Sequence, residues 1–352
     1  MHAIAYKEPR PLSADDALLD LALPRPTPSG RELLVEVKAV SVNPVDVKIR
    51  AHVRPEAGTP KVLGWDAAGV VVSTGPQASL FKPGDTVYYA GALDHPGTNA
   101  RFHLVDERIV GPKPETLDFA QAAAMPLTTI TAWEALFDRL DVLRPVPGGA
   151  RTILIIGGAG GVGSMAVQLA RALTDLTVIA SASRPESSQW VQALGAHHVV
   201  DHSKSLANQL QTLGLKQPSF VFSTTHTAEH MQDIAELIAP QGRFALIDDP
   251  KVLDVIPLKR KSVSLHWEFM FTRSLLATTD IEQQHGLLAQ VAHLIDEGRL
   301  RTTLRKTLRP ICALTLKQAH ALVERDQMVG KVVVADWDPD QQLTSTAMEI
   351  TP

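Results

Sequence analysis

Thr152–Gly163 reads TILIIGGAGGVG, and the change of pattern inside it decides the fold. A β-branched apolar run, with Ile153, Ile155 and Ile156, stops at a glycine cluster, and an amphipathic helix pattern then begins. Gly158, Gly160 and Gly163 satisfy the G-x-G-x-x-G spacing, with Ala159, Gly161 and Val162 between them. Such a turn lets backbone N–H groups approach a pyrophosphate at the positive end of a helix. The plain alternative is a tight turn that serves only close helix–strand packing. Its place after a strand, before a helix and among further strand–helix units favours dinucleotide binding.

Outward from the loop, Val162, Met165, Ala166, Leu169, Ala170 and Leu173 give helix 162–173 one apolar face. Residues 177–181 (TVIAS) read as the next strand and 187–195 as a helix closed by glycine. Stretches 197–201, 219–224 and 243–248 are further buried strands, and a helix is expected from Thr129 to Leu140. The alternation predicts an α/β fold with a doubly wound parallel sheet. Residues 1–125 are different. Valine-rich runs at 33–42 and 67–74, and a turn plus short strand at 83–91, predict a compact barrel-like β domain. After it come helices at 281–300 and 316–326, a strand at 331–337, and a polar, mobile tail from Asp338.

The chain has 352 residues and a net charge of −4. That mild acidity gives no footprint for nucleic acid or an anionic membrane. The single cysteine, Cys312, excludes an intrachain disulfide and a cysteine-rich zinc site. The N-terminus lacks the apolar segment of a secretory signal, so a cytoplasmic protein is expected. The uncharged stretch between Arg151 and Arg171 is long enough to span a bilayer, but five of its residues are glycines within 157–163. A strand, a turn and a helix account for it better.

The second strand bears on which dinucleotide is bound. NAD enzymes usually place an acidic residue at its end to hold the ribose hydroxyls. Here the sequence is TVIASASRPES, with Ser181 and Ser183 in that region and Arg184 just beyond. Hydroxyls and a guanidinium suit a 2′-phosphate that a carboxylate would repel, so NADPH is the expected cofactor. Glu186 as a displaced acidic reader keeps NADH open.

Taken in order, NPVDVK (43–48), LGWDAAGVV (63–71), KPGDTVY (82–88), PLTTITAWEAL (126–136), GGAGGVG (157–163), HWEFMFTRS (266–274) and GKVVV (330–334) resemble the medium-chain dehydrogenase/reductase superfamily. Within it the quinone oxidoreductase branch is most similar, particularly the zinc-type alcohol dehydrogenase-like proteins. The resemblance implies a GroES-like β-barrel domain from residues 1–125 and 270–352. It implies a Rossmann domain over 126–269, a cofactor cleft between the domains, and homodimers or homotetramers. It puts Asn43 and Asp46 at an N-x-x-D position near the nicotinamide, where the alternative is an Asx turn reinforced by Pro44. It puts Thr131 on a helix facing the cofactor. Thr224 and Thr225 fall in a loop by the nicotinamide ribose, and Phe271 and Arg273 in a segment covering the nicotinamide and phosphate channel.

The same resemblance raises zinc. A catalytic zinc needs about three Cys, His or carboxylate ligands. The family's cysteine region is SVNPVD here, and Trp65 replaces its histidine in Gly64-Trp65-Asp66. No metal is therefore expected. His226-Thr-Ala-Glu229-His230 spells H-x-x-E-H, a metalloprotease spacing, but it follows an apolar strand and reads as chance. Tyr6, Tyr88 and Tyr89 do not match the catalytic tyrosine of the related enoyl reductases. Reduction of a simple carbonyl leaves an alkoxide that needs zinc or an acid. The anion left by an enone or quinone is already delocalised. The expectation is zinc-independent, NADPH-dependent hydride transfer to quinones or α,β-unsaturated carbonyls, in a pocket shaped by loops 51–62 and 92–101. The rivals are an alcohol dehydrogenase using NAD(P) and a non-catalytic NADPH-binding redox sensor.

Overall fold

A computed structural model describes residues 1–338. The tail expected beyond Asp338 lies outside the described residues. The chain forms two compact units, one from Met1–Leu127 with the chain from Phe271 on, the other Thr128–Met270.

The second unit is built on six parallel strands: β1 (Ala150–Ile156), β2 (Thr177–Ser181), β3 (His198–Val200), β4 (Pro218–Ser223), β5 (Arg243–Leu246) and β6 (Ser264–Trp267). Their order across the sheet is β3-β2-β1-β4-β5-β6. The strand order reverses beside β1, and that switch point is where open α/β sheets bind ligands. The connecting helices are α1 (Gly161–Leu173), α2 (Pro185–Ala193), α3 (Leu206–Thr212) and α4 (Thr227–Leu237). Leu154, Ile156, Ile179, Val221, Phe244 and Leu246 form the core of one face, against Leu206, Leu210, Met231, Ile234 and Leu237. That is why these strands read as nearly unbroken apolar runs.

Two helix boundaries differ from the sequence expectation, both because of proline. The helix expected from Thr129 starts at Pro126, and α2 starts at Pro185 instead of residue 187. Proline is tolerated in a first turn, where its missing N–H has no intrahelical partner to lose. The Pro126–Trp133 helix then runs into a π-turn, Glu134–Arg139. Nothing in the 3.6-residue pattern announces that turn.

The first unit is β-rich. Its larger sheet runs Leu304–Leu308, Lys331–Ala335, Glu32–Ser41, Ala67–Thr74, Thr86–Tyr89 and Val110–Pro112, with Phe102–Asp106 also pairing Glu32–Ser41. Leu304–Leu308 (LRKTL) is a strand that the sequence reading missed, since it carries two charges and none of its residues is buried. A smaller sheet places His2–Tyr6 between Leu19–Ala22 and Lys61–Val62. No described helix is long and apolar enough to cross a membrane.

Candidate functional site

The glycine loop caps β1 and opens α1. Gly157 has φ +79°, and a Cβ there would lie 2.3 Å from Thr224 Oγ1. A Cβ on Gly158 would meet Ala180 Cβ at 2.8 Å, and one on Gly163 would meet the Gly157 carbonyl oxygen at 2.2 Å. These three are fixed by the protein's own packing. Gly160 is not, because its nearest neighbour would stand at an ordinary 3.6 Å. The first intrahelical bond runs from Ser164 N to Gly160 O at 2.8 Å. The amides of Gly161, Val162 and Gly163 therefore precede the helix ladder and point out of its positive end. A pyrophosphate fits this cradle. The open side of Gly160 leaves room for a ligand to approach the backbone.

Several expected cofactor residues converge on this loop. Ser181, fully buried at the end of β2, accepts a hydrogen bond from Gly157 N at 2.9 Å, and His202 Nδ1 lies 3.1 Å from the same hydroxyl. Thr224 Oγ1 donates to Ile156 O at 2.9 Å, and Thr225 Oγ1 pairs with His226 Nδ1 at 2.7 Å. Ser183 and Arg184 are exposed. Arg184 is the N-cap residue of α2, its amide bonding Ser187 Oγ at 3.1 Å. Ala159 and Val162 complete the loop.

Asn43 and Asp46 sit in a second, buried cluster in the first unit. The Asp46 carboxylate accepts from Asn43 N at 2.8 Å, closing the first turn of helix Pro44–His52. Asn43 Nδ2 donates to Asp66 Oδ2 at 2.8 Å and to Trp65 O at 3.2 Å. Asp66 Oδ1 accepts from Leu127 N at 2.7 Å. Lys331 Nζ completes the group, 2.9 Å from Asp66 Oδ2 and hydrogen-bonded to Asn43 Oδ1. Asn43, Asp46, Asp66 and Lys331 are all buried. Burial pushes Asp46 up to about 7, against the Asn43 amide and Lys331, which lower it. Burial also raises Asp66, with Lys331 the main opposing influence.

Lys331 is the residue that sequence reading missed. The available signal was a lysine opening the apolar strand KVVVA directly after Gly330, whose φ is +64°. A lone lysine at a strand end is normally solvated, so the signal is faint.

Trp65 is fully buried, donates Nε1–H to Ala92 O at 3.0 Å and meets Phe271 edge to face at 6.4 Å. Arg273 Nε pairs with Asp280 Oδ2 at 3.0 Å. Thr131 is buried on its helix in the second unit. Tyr6 and Tyr88 donate to the carbonyls of Val53 and Leu288 at 2.8 and 2.7 Å, and Tyr89 OH lies 3.2 Å from His103 Nδ1. Burial raises the pKa of all three phenols, which suits packing better than proton transfer. Arg50 is buried, paired with Glu324, and donates to Arg10 O at 2.6 Å. His226 takes a left-handed conformation before α4. Among the described residues no three His, Cys, Asp or Glu side chains assemble as a metal-binding group.

A reversed strand order beside β1, a glycine cradle at that switch point and a separate β unit are the features of a dinucleotide-binding protein of two units. Comparison with known proteins agrees. The model for the alcohol dehydrogenase GroES-like domain matches residues 29–115, and that for zinc-binding dehydrogenases matches 194–334. A zinc-type alcohol dehydrogenase-like protein of Staphylococcus aureus is 36% identical over 336 residues, 95% of this chain and 99% of its own. A solved Rhizobium etli structure, assigned to the zinc-dependent alcohol dehydrogenases, is 62% identical, with TM-score 0.94 over 96% of this chain and 98% of its own. The 2-methylene-furan-3-one reductase of Solanum lycopersicum is 37% identical over 181 residues, 49% of this chain and 45% of its own. The chain belongs to the medium-chain dehydrogenase/reductase superfamily, with a GroES-like β domain and a Rossmann-like parallel-sheet domain. Members of this family bind a nicotinamide cofactor.

The family name also implies zinc, and the donor set here does not fit it. Trp65 is no ligand, Asn43 offers an amide already bonded to Lys331, and Asp66 is held by an ammonium and two further donors. A cation placed among these groups would meet the Lys331 charge.

Proposed function

We propose that the chain is a zinc-independent, NADPH-dependent reductase of quinones or α,β-unsaturated carbonyl compounds, working as a cytoplasmic homodimer or homotetramer. The observation that carries the reading is the Lys331–Asp66–Asn43 cluster. Its buried ammonium already occupies the oxygen atoms of Asn43 and Asp66 that a metal ion would need, which supports chemistry without a metal. When bound, the reduced nicotinamide supplies a hydride from its C4. The loop Gly158–Gly163 holds the pyrophosphate by its free amides, and Ser181 braces the loop from β2. Ser183 and Arg184 receive the 2′-phosphate. Thr224 and Thr225 flank the nicotinamide ribose, and Phe271 and Arg273 cover the nicotinamide and phosphate channel. Thr131 faces the ring from its helix. Asn43 and Asp46 shape the reaction site by position, fixed through their own capping bond and Lys331. A conjugated acceptor leaves an enolate or hydroquinone anion that water protonates, so no buried tyrosine is asked to act. The similarity to the tomato reductase supports a conjugated acceptor.

The test is NADPH consumption against a panel of quinones and enones, with metal content measured on the same sample. Turnover without stoichiometric metal is expected. Arg184→Ala is expected to raise the KM for NADPH about tenfold and leave that for NADH nearly unchanged, the loss of one charge-assisted phosphate contact. A preference for NADH, or no effect of Arg184→Ala, sinks the cofactor assignment. The rival reading, an alcohol dehydrogenase using NAD(P), has the description of the Rhizobium etli neighbour in its favour. Alcohol oxidation lost on chelation would establish it.

A further inference from the structure

Glu134 and Glu268 are the buried acidic residues of the second unit that no step above uses. Glu134 begins the π-turn that follows helix Pro126–Trp133, and it is fully buried. π-turns are rare and concentrate at functional sites. Glu268 follows β6, is 3% exposed, and its amide donates to Leu246 O at 3.0 Å. The two carboxyl groups are near enough for the charge of Glu134 to act on Glu268. Arg139, at the far end of the same π-turn, donates Nε–H to Glu268 Oε2 at 2.9 Å.

Two ionised carboxylates side by side in a buried site repel each other, so the pair favours keeping one proton. Burial and the Glu134 charge push Glu268 up to about 9, with Arg139 opposing. The other charged group facing this cluster is His266 on β6, whose pKa burial lowers first and Arg243 and Arg139 then lower further, so it stays neutral above pH 7 and adds no second cation. Thr131 lies one helical turn before Glu134, and Phe269 follows Glu268 directly. The carboxyl pair thus ties the helix bearing Thr131 to the chain that leaves β6.

We propose that Glu134 and Glu268 are positioning residues that share one proton and, with Arg139, clamp the Thr131 helix against the segment after β6, so that the nicotinamide end of the cofactor site is held in one arrangement only while that proton is present. The inference rests on the nicotinamide-facing role given to Thr131 above. Loss of the proton leaves two like charges in contact in a dry site, and the clamp opens. Arg139 is one-third exposed, so it does not neutralise both.

Two readouts test it. The infrared band of a protonated carboxylic acid, followed by pH titration of the cofactor-free protein, is expected to contain a component lost around pH 9, distinct from that of Asp46, which is lost near 7, and that component is expected to be missing from Glu268→Gln. NADPH affinity, read by cofactor fluorescence, is expected to weaken about tenfold across the same range in the wild type. Glu268→Gln keeps the shape and presents an N–H to Glu134. It is expected to bind NADPH within about threefold of the wild type at pH 7 and to lose the alkaline weakening. Glu268→Ala is expected to bind weakly at every pH, with Glu134→Gln as a second variant should it fail to fold. Absence of that alkaline component, or an alkaline weakening retained in Glu268→Gln, overturns the proposal. NADPH binding that is tight and independent of pH overturns the clamp alone. No NADPH binding at any pH overturns the reductase reading and the clamp with it, while the band still reports the shared proton.

Discussion

The Asp46–Asp66–Lys331 cluster and the Glu134–Glu268–Arg139 cluster each bury two carboxyl groups against one basic side chain. In the first, fixed donors surround the acids. Asn43 N serves Asp46, while Asn43 Nδ2, Leu127 N and the Lys331 ammonium serve Asp66. In the second, Glu268 has one fixed cationic donor, Arg139, and otherwise turns to the other acid. Lys331 is 4% exposed, whereas the Arg139 side chain is 33% exposed and shares its charge with water. Equal numbers of carboxyls and cations thus do not make the two clusters alike: the fixed donors and the burial of the cation count as well, since each stabilises the ionised form. The first cluster is assembled from four segments of chain around a buried ammonium, with Asp46 titrating near 7, and the second turns on a proton at the carboxyl pair.

Removing the lysine is the largest expected way to break the comparison. Lys331→Met leaves Asp66 buried without its ion-pair partner, which costs about 3–5 kcal/mol. Urea unfolding at pH 7 would read it. Adding Asp66→Asn should recover roughly half, because the Leu127 amide keeps an acceptor and no charge stays unpaired. If Lys331→Met is near neutral, the ammonium is not what holds the cluster.

The first cluster was the least legible part of the sequence. The glycine loop, the parallel strands around it and the missing acid after β2 were all readable, because each is a local pattern set by backbone sterics or strand burial. Asn43 and Asp46 could be named through the resemblance's N-x-x-D position, and Asp66 only as the neighbour of Trp65. Their partner Lys331 is 265 residues from Asp66, and nothing local marks a strand-opening lysine as buried. Glu134 and Glu268 stayed hidden for the same reason. Each interrupts an apolar stretch as a single charge, and only the packing of the π-turn against the end of β6 makes them a pair.

The next effect concerns Asp46, and the sign follows from its folded pKa of about 7 against an ordinary 3.8. Between those values the folded chain keeps a proton that the unfolded chain has released. Its contribution to stability is therefore full below pH 4 and falls as pH rises through 7. Asp46→Asn removes that fall, so its stability relative to the wild type is expected to be about 2–3 kcal/mol higher at pH 8 than at pH 5. Denaturant midpoints at the two pH values check it. An opposite trend would mean that Lys331 and the Asn43 amide outweigh burial, making Asp46 an ordinary ionised cap.

The smallest effect sharpens the other side of the comparison. Arg139 is screened, so Arg139→Met is expected to change stability at pH 7 by about 1 kcal/mol or less, against several for Lys331→Met. Its clearer signature is the direction of a titration. Arg139 favours the ionised form of Glu268, and without it the carboxyl pair holds its proton more tightly. The alkaline loss of the protonated-carboxyl band should then move above the wild-type value of about 9. A downward movement would mean that Arg139 donates to the neutral pair and stabilises the proton. The second cluster would then resemble the first, with a basic side chain rather than a shared proton as the element that holds it.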